Sequence, residues 1–498
     1  MIPFTTFRDL AASYTVIPLV RTLVADTLTP VLTYLTLREE GVPSFILESV
    51  EPNEKIGRFS FIGTRPRIVI ESRNGSVTVR DGAGSRDIAG PLFPVIRTVL
   101  APHRVAPVQE PHGLLGGLVG YIGYNCVRDI ERIPITPAPG DEPDALLGLF
   151  GSVVQFDHHR QVMTLMHNVF LEPGIPLEEQ YEAGKAALGA LELRLRRVTA
   201  PATPFSCTME GEGEPDRDGF EHAVLRAKEH ITEGDIFQVV LSRRVRSTFT
   251  GDLFAVYRSL RIINPSPYLF YLDFGVTKLA GSSPEVLVRA RGGTVEVLPI
   301  AGTRPRGKDE AGDRRFEEDL LADPKELAEH VMLVDLGRND VGRVSQYGSV
   351  EVPVFKRVDR YSHVMHIVSE VRGQLRPDID AVGVFESCFP AGTVSGAPKV
   401  RAMEIIAGLE PFPRGAYAGA VGYFGMDGTM DTCIAIRTVF AHGQTLKLQA
   451  GAGIVADSVP ANEYDETVNK ARVLREAIRL ASRGLAAPDG SEEGGAAR

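Results

Sequence analysis

Residues Ala418 to Ala450 read AGAVGYFGMDGTMDTCIAIRTVFAHGQTLKLQA, and this stretch decides the fold class. Apolar and β-branched residues gather in three runs, Ala418–Phe424, Thr432–Phe440 and Thr445–Ala450, each expected as a strand. Asp427-Gly428 and His442-Gly443 lie between them and tolerate the positive φ of tight hairpin turns. Strands joined so closely are antiparallel, because a parallel pair needs a crossover of about a dozen residues or more. The expected class is α+β, with two lobes, large antiparallel β-sheets and helices flanking their outer faces.

Upstream, the same reasoning marks Arg67–Glu71, Ser76–Val79, Leu114–Tyr121 and Gln161–His167 as strands. Glu178–Arg197 and Gly219–Glu233 have helical spacing. Between them, Arg197 to Asp218 loses apolar periodicity and turns rich in Pro, Gly, Thr and acidic residues, the composition of a surface linker. The expected organisation is an N-terminal lobe over 1–200, a linker over 201–218, a second lobe over 219–482 and a disordered tail over 483–498.

The 498 residues include 54 Lys and Arg against 64 Asp and Glu, a formal charge of −10. No basic stripe offers itself to a nucleic acid, so a nucleic-acid partner is not expected. An anionic small molecule must be held by local cations or a metal. No run approaches the roughly 18 apolar residues of a membrane-spanning helix, so no membrane partner is expected either. The N-terminus lacks the basic and apolar segments of a secretory signal. Cys126, Cys207, Cys388 and Cys433 form no C-x-x-C pair, and a reduced cytoplasmic protein is expected.

Several segments carry residues with chemistry to offer. Asp323 and Pro324 are an N-cap and first-turn residue, so a helix starts there with Glu326 and Glu329 on one face. Glu463, Glu466 and Lys470 share a face of a second helix opened by Pro460. Two such pairs supply the hard oxygen ligands that Mg²⁺ prefers. Against this, carboxylates three apart are usually solvated surface, and Glu326 can complete a capping box with Asp323. The glycine-rich turns Pro299–Gly307 and Phe389–Lys399 can aim backbone N–H groups at an anion, as turn chemistry alone also explains. Gln449–Gly453 permits close approach to a strand backbone. Arg437, within an apolar strand, needs an anionic partner. His366 shares a strand face with Val364 and Val368 and is a general base only where it opens onto a pocket.

Together, GSSPE (Gly281–Glu285), PIAGTRPRG (Pro299–Gly307), ELAEHVMLVDLGRND (Glu326–Asp340), YSHVMHIVSEVRG (Tyr361–Gly373), GTVSGAPKVRAMEII (Gly392–Ile406), AIRT (Ala435–Thr438) and QAGAGIVADSVPANEYDET (Gln449–Thr467) resemble the chorismate-utilising enzymes. Upstream, Phe45–Val50 and Arg58–Gly63 resemble the N-terminal half of anthranilate synthase large subunits. The resemblance implies that Glu329 and Glu466 ligate Mg²⁺, with Glu326 and Glu463 close to it. It implies Glu285 as general acid for the departing C4 hydroxyl of chorismate, with Thr393 and His366 lining the pocket and His366 aiding pyruvate loss. Gly302, Thr303, Tyr417, Arg437, Gly451, Ala452, Gly453 and Lys470 would orient the substrate.

Two positions separate the relatives. Members that add water to C2 resemble one another in a lysine base where this chain has Gln238, and a glutamine cannot deprotonate water. Relatives that make 4-amino-4-deoxychorismate typically carry a nucleophilic lysine where Ala301 stands. Both substitutions imply direct addition of ammonia at C2. No cysteine sits on the Gly-x-Cys-x-Gly elbow of a glutaminase, so ammonia is expected from a separate glutamine amidotransferase subunit, in a hetero-oligomer. The resemblance also implies inhibition by L-tryptophan bound near Glu48, Ser49, Pro267, Tyr268 and Leu269 in a regulatory N-terminal lobe. The alternatives are a 4-amino-4-deoxychorismate synthase or an inactive tryptophan sensor. The latter would lack Glu285, Glu329, Arg437 or Glu466, and all are present.

Overall fold

Ala420–Gly425 and Met430–Ile434 form one antiparallel hairpin, and Thr438–His442 and Thr445–Ile454 form another. The two hairpins belong to different sheets, which corrects the expectation of a single strand over Thr432–Phe440. The chain breaks between Ile434 and Thr438, where Arg437 takes φ 48, and crosses from one sheet to the other. Apolar residues run unbroken through the crossover because both flanking strands are buried, so periodicity alone could not show it. His442 pairs with Thr445, and the turn falls on Gly443-Gln444, one residue later than expected.

The computed structural model describes residues 1–49, 58–108, 113–135, 140, 142–198, 200–209, 211–361 and 364–485. Most of the expected tail, and Val50, Ser362 and His363, lie outside the described residues. Each of two twelve-stranded sheets is built from antiparallel ladders, and each mixes strands from before residue 200 with strands from after it. In the first, Ser44–Glu48 pairs with Tyr268–Phe274; in the second, Gly117–Ile122 pairs with Ala420–Gly425. The segments 1–200 and 219–482 therefore share both sheets, so the expected lobes are joined by continuous hydrogen-bonded ladders. The stretch 201–218 is more than a linker: Phe205–Met209 is a strand paired with Gln238–Gly251. Its exposed alternate positions hid the strand from a composition argument.

Four layers result. One apolar cluster fills the space between the sheets, with Phe45, Phe270 and Phe440 from the first and Tyr121, Phe150 and Cys433 from the second. Helices cover both outer faces, and the helix Pro460–Ser482 packs through Leu474, Ala477, Ile478 and Ala481 beside Tyr257 and Leu260. The helix Pro324–Gly342 lies on the other sheet through Val334 and Val341. Its start is as expected: Asp323 Oδ1 accepts from the N–H groups of Lys325 and Glu326, at 3.0 and 3.3 Å. None of the four cysteines is in a disulfide.

Candidate active site

The crossover builds the centre of the site. The Arg437 carbonyl accepts from the Ser282 N–H at 3.1 Å, and the Glu285 carbonyl accepts from the Ile434 N–H at 3.0 Å. Ser283 Oγ donates to the Ile434 carbonyl at 2.7 Å, so the Gly281–Glu285 turn is stitched to the chain leading to Arg437. Burial pushes the Glu285 carboxyl up to about 7, against the opposing pull of Thr393, Lys470 and Arg437. The Thr393 hydroxyl stands beside that carboxyl, shielded from water and without a full hydrogen bond to another group. Burial also lowers the Arg437 pKa, and Glu285 is the charge that counters it. A carboxyl poised near neutrality beside an arginine and a lysine is a proton donor facing an anion site.

The two carboxylate pairs lie within reach of the same two lysines, Lys325 and Lys470. Glu329 has its pKa raised by burial and then by Glu326, with Gln238, Lys325 and Lys470 acting against the rise. Glu463 is raised by burial and by Glu466, again opposed by Lys325 and Lys470. Both lysines thus lie between helix Pro324–Gly342 and helix Pro460–Ser482. Glu466 pairs with Lys470 at 2.7 Å, and Lys470 also donates to the Gly451 carbonyl at 3.0 Å. Glu326 does not complete a capping box. One of its oxygens accepts from Arg304 at 3.1 Å instead. Among the described residues, no three of these glutamates close to 4.8 Å; the one cluster that does is His230, Glu233 and Asp235. There Asp235 is already engaged by His230 at 2.9 Å and Arg401 at 2.7 Å. The donor set of the four glutamates nevertheless fits a hard divalent ion, because like charge and burial strain Glu329 and Glu463 in a way that a cation relieves.

The glycines are explained by what surrounds them. A Cβ on Gly451 would lie 2.6 Å from the Tyr417 hydroxyl, and one on Gly453 would lie 2.6 Å from Gln238 Nε2. Gly302 sits at φ 71 in a bulge between Ala301 and Thr303, with Glu326 Oε2 facing it. Ala452 is fully buried, in a core cluster with Val239 and Leu241. His366 Nδ1 donates to the Gly302 carbonyl at 2.9 Å and lies 3.1 Å from Thr303 Oγ1. Burial holds the imidazole pKa low, with Arg437 adding to the effect, so Nε2 keeps its lone pair at neutral pH.

A cavity of about 510 Å³ lies elsewhere, between the sheets. Glu48, Ser49, Pro267, Tyr268 and Leu269 all line it, alongside Arg289 and Asp431. The Glu48 carboxylate is committed to Arg261 at 2.8 Å and to the Tyr257 hydroxyl, on the helix-covered side. The Leu269 side chain joins the apolar cluster of that same side. The Ser49 hydroxyl is buried without a partner. Tyr268 donates to Asp431 at 2.6 Å and accepts from Arg289 at 2.6 Å. Lys325, Arg289 and Asp431 carry no signal of these positions in the sequence, since only the fold brings them to their sites.

Residues 44–476 match the family described as chorismate binding enzyme, and the chain belongs to that family. It is 46% identical to the anthranilate synthase component 1 of Aquifex aeolicus over 488 residues, covering 95% of this chain and 97% of that one. The same protein of Pseudomonas putida is 46% identical over 487 residues, covering 95% and 97%. The crystal structure of anthranilate synthase component I from Streptococcus pneumoniae superposes with a TM-score of 0.75 at 36% identity, over 91% of this chain and 98% of that one. The menaquinone-specific isochorismate synthase of Escherichia coli, 23% identical with a TM-score of 0.69 over 95% and 99%, shares the fold. Within the family the chain stands on the anthranilate synthase component 1 branch. No helix among the described residues is long and apolar enough to cross a membrane.

Proposed function

We propose that this chain aminates chorismate at C2 and then eliminates pyruvate to leave anthranilate, the entry to tryptophan synthesis. The observation that carries this is the half-buried Glu285 carboxyl, held near neutrality beside Arg437 and Lys470. Arg437 and Lys470 hold substrate carboxylates, and Tyr417 and the Gly451–Gly453 main chain set the ring. Nitrogen of ammonia bonds to C2, the ring double bonds C1=C2 and C5=C6 shift to C1=C6 and C4=C5, and the C4–O bond breaks. The hydroxyl takes the Glu285 proton and leaves as water. His366, neutral with Nε2 free, then accepts the C2 proton while the C3–O bond to the enolpyruvyl group breaks. Glu326, Glu329, Glu463 and Glu466 would hold Mg²⁺, which supplies positive charge against the dianionic substrate. Gln238 lacks the basicity to activate water, and Ala301 offers no covalent nucleophile, so ammonia is left as the attacking group. Its source is a separate glutamine amidotransferase subunit, and the site of action is the cytoplasm.

The test is direct. The purified chain with chorismate, Mg²⁺ and ammonium should release fluorescent anthranilate and pyruvate in equal amounts. Accumulation of 4-amino-4-deoxychorismate or isochorismate instead would overturn the assignment. At constant free ammonia, kcat should hold below pH 7 and fall about tenfold per pH unit above it, because only the protonated Glu285 donates. A profile flat from pH 6 to 9 under those conditions counts against Glu285 as the acid.

The cavity between the sheets is the proposed tryptophan site, and inhibition couples it to catalysis through shared strands. Val286–Arg291 carries Arg289 into the cavity and begins one residue after Glu285. Met430–Ile434 carries Asp431 into it and runs on to Arg437. A ligand that displaces these strands moves the acid and the guanidinium together. Ser49→Phe should place a ring in the cavity, leave kcat within about twofold, and raise the half-inhibiting tryptophan concentration by about tenfold or more. Because the chain contains no tryptophan, indole emission from the added ligand reports binding without background. Unchanged inhibition and unchanged binding in the variant would remove the cavity from the regulatory account.

A further inference from the structure

Arg304 reaches three carboxylates on two helices with one guanidinium. Nε donates to Asp319 Oδ2 at 2.6 Å, on the helix Glu310–Ala322. Nη2 donates to Asp323 Oδ2 at 2.8 Å, and Asp323 spends its other oxygen capping the helix Pro324–Gly342. Nη1 donates to Glu326 Oε1 at 3.1 Å and to the carbonyl of Thr303 at 3.0 Å. The neighbouring Thr303 stands opposite His366 in the strand register. Lying only 19% exposed among three carboxylates, Arg304 has its charge stabilised mainly by Asp319, then by Asp323 and Glu326.

We propose that Arg304 is a positioning residue for divalent-metal binding: it fixes the first turn of the Pro324 helix and turns Glu326 so that only Oε2 remains for the ion. The inference rests on the proposed metal site. The geometry favours an arginine fork, because a compact lysine ammonium cannot span carboxylates on two helices as the planar guanidinium does. The other oxygen of Glu326 faces Gly302, where a Cβ would come within 3.1 Å, so glycine keeps that approach open. Without the fork nothing holds the Glu326 carboxylate in place, and Glu326 and Glu329, three residues apart on one helix face, repel each other. The carboxylates then splay, and an ion must gather them before it binds. The charge-conserving change to lysine isolates this effect, since it leaves the local electrostatic attraction for a cation in place.

The experiment uses the full chain and Mn²⁺ as the probe, followed by the loss of its free-ion electron paramagnetic resonance signal. Arg304→Lys should weaken Mn²⁺ binding about tenfold and raise the Mg²⁺ concentration for half-maximal activity equally. kcat at saturating Mg²⁺ should remain within about threefold of the parent. Asp319→Asn, at an exposed anchor that the fold tolerates, should shift both in the same direction by about twofold to threefold. A drop in thermal midpoint with unchanged Mn²⁺ affinity would make Arg304 structural only and overturn the proposal. Glu329→Ala is the parallel control. If it too leaves Mn²⁺ binding untouched, the metal site itself is wrong; if it abolishes binding while Arg304→Lys does not alter it, only the positioning role fails.

Discussion

Glu285→Gln is expected to lower kcat for anthranilate formation about a thousandfold while chorismate KM changes by no more than about threefold. The glutamine keeps the size and hydrogen-bonding reach of the side chain and loses only the transferable proton. Nothing else in the site can replace that proton. His366 is held neutral, with its Nδ1 hydrogen spent on the Gly302 carbonyl. The Tyr417 hydroxyl is pushed further from ionisation by burial, and Arg437 and Lys470 are occupied with charge rather than proton transfer. The fall in activity above pH 7 should vanish with the acid, leaving a flat residual rate. The second half of the reaction is a sharper check. 2-Amino-2-deoxyisochorismate supplied directly has already lost its C4 hydroxyl, so the variant should eliminate pyruvate from it at close to the parental rate. Equal loss in both halves would mean that Glu285 supports the pocket rather than donating the proton.

The fold was legible where local rules bind tightly. Asp323 and Pro324 announced their helix because an acidic N-cap and a first-turn proline satisfy the same unpaired N–H groups. The Asp427-Gly428 turn announced its hairpin for a similar reason, with Gly428 at φ 83. The crossover at Arg437 was not legible. Strands from two packed sheets share one buried apolar composition, and a change of sheet leaves no mark on periodicity. The candidate site divides in the same way. Carboxylates three residues apart could be placed on one helix face from spacing alone, but whether two such faces come near one another depends on tertiary packing that spacing does not carry. Glu326 shows the limit most plainly. Sequence allowed a capping box or a metal ligand, and the structure gives its carboxylate to Arg304, a partner 22 positions away on a neighbouring strand.

Glu329→Ala should abolish turnover, lowering kcat/KM by about three orders of magnitude or more, and Glu466→Ala should do nearly the same. What separates a metal ligand from a structural carboxylate is the sign of the stability change. The folded-state pKa of Glu329 is raised by burial and by Glu326. Its charged form therefore opposes folding at every pH above its unfolded value of 4.5, and the penalty is complete once pH exceeds the folded pKa. Removing it at pH 7.5 in the absence of divalent ions should leave the thermal midpoint unchanged or higher. Added Mg²⁺ should then raise the midpoint of the parent, because an ion that binds only the folded chain stabilises it in proportion to the logarithm of occupancy, and should leave the alanine variant where it was. Glu466 differs in one respect: its partner Lys470 also holds the Gly451 carbonyl, so its loss frees an ammonium at the substrate end of the site. Chorismate KM should consequently move more in Glu466→Ala than in Glu329→Ala. A variant at either position that keeps normal turnover and a normal Mg²⁺ response would leave four converging carboxylates without a chemical reason to converge.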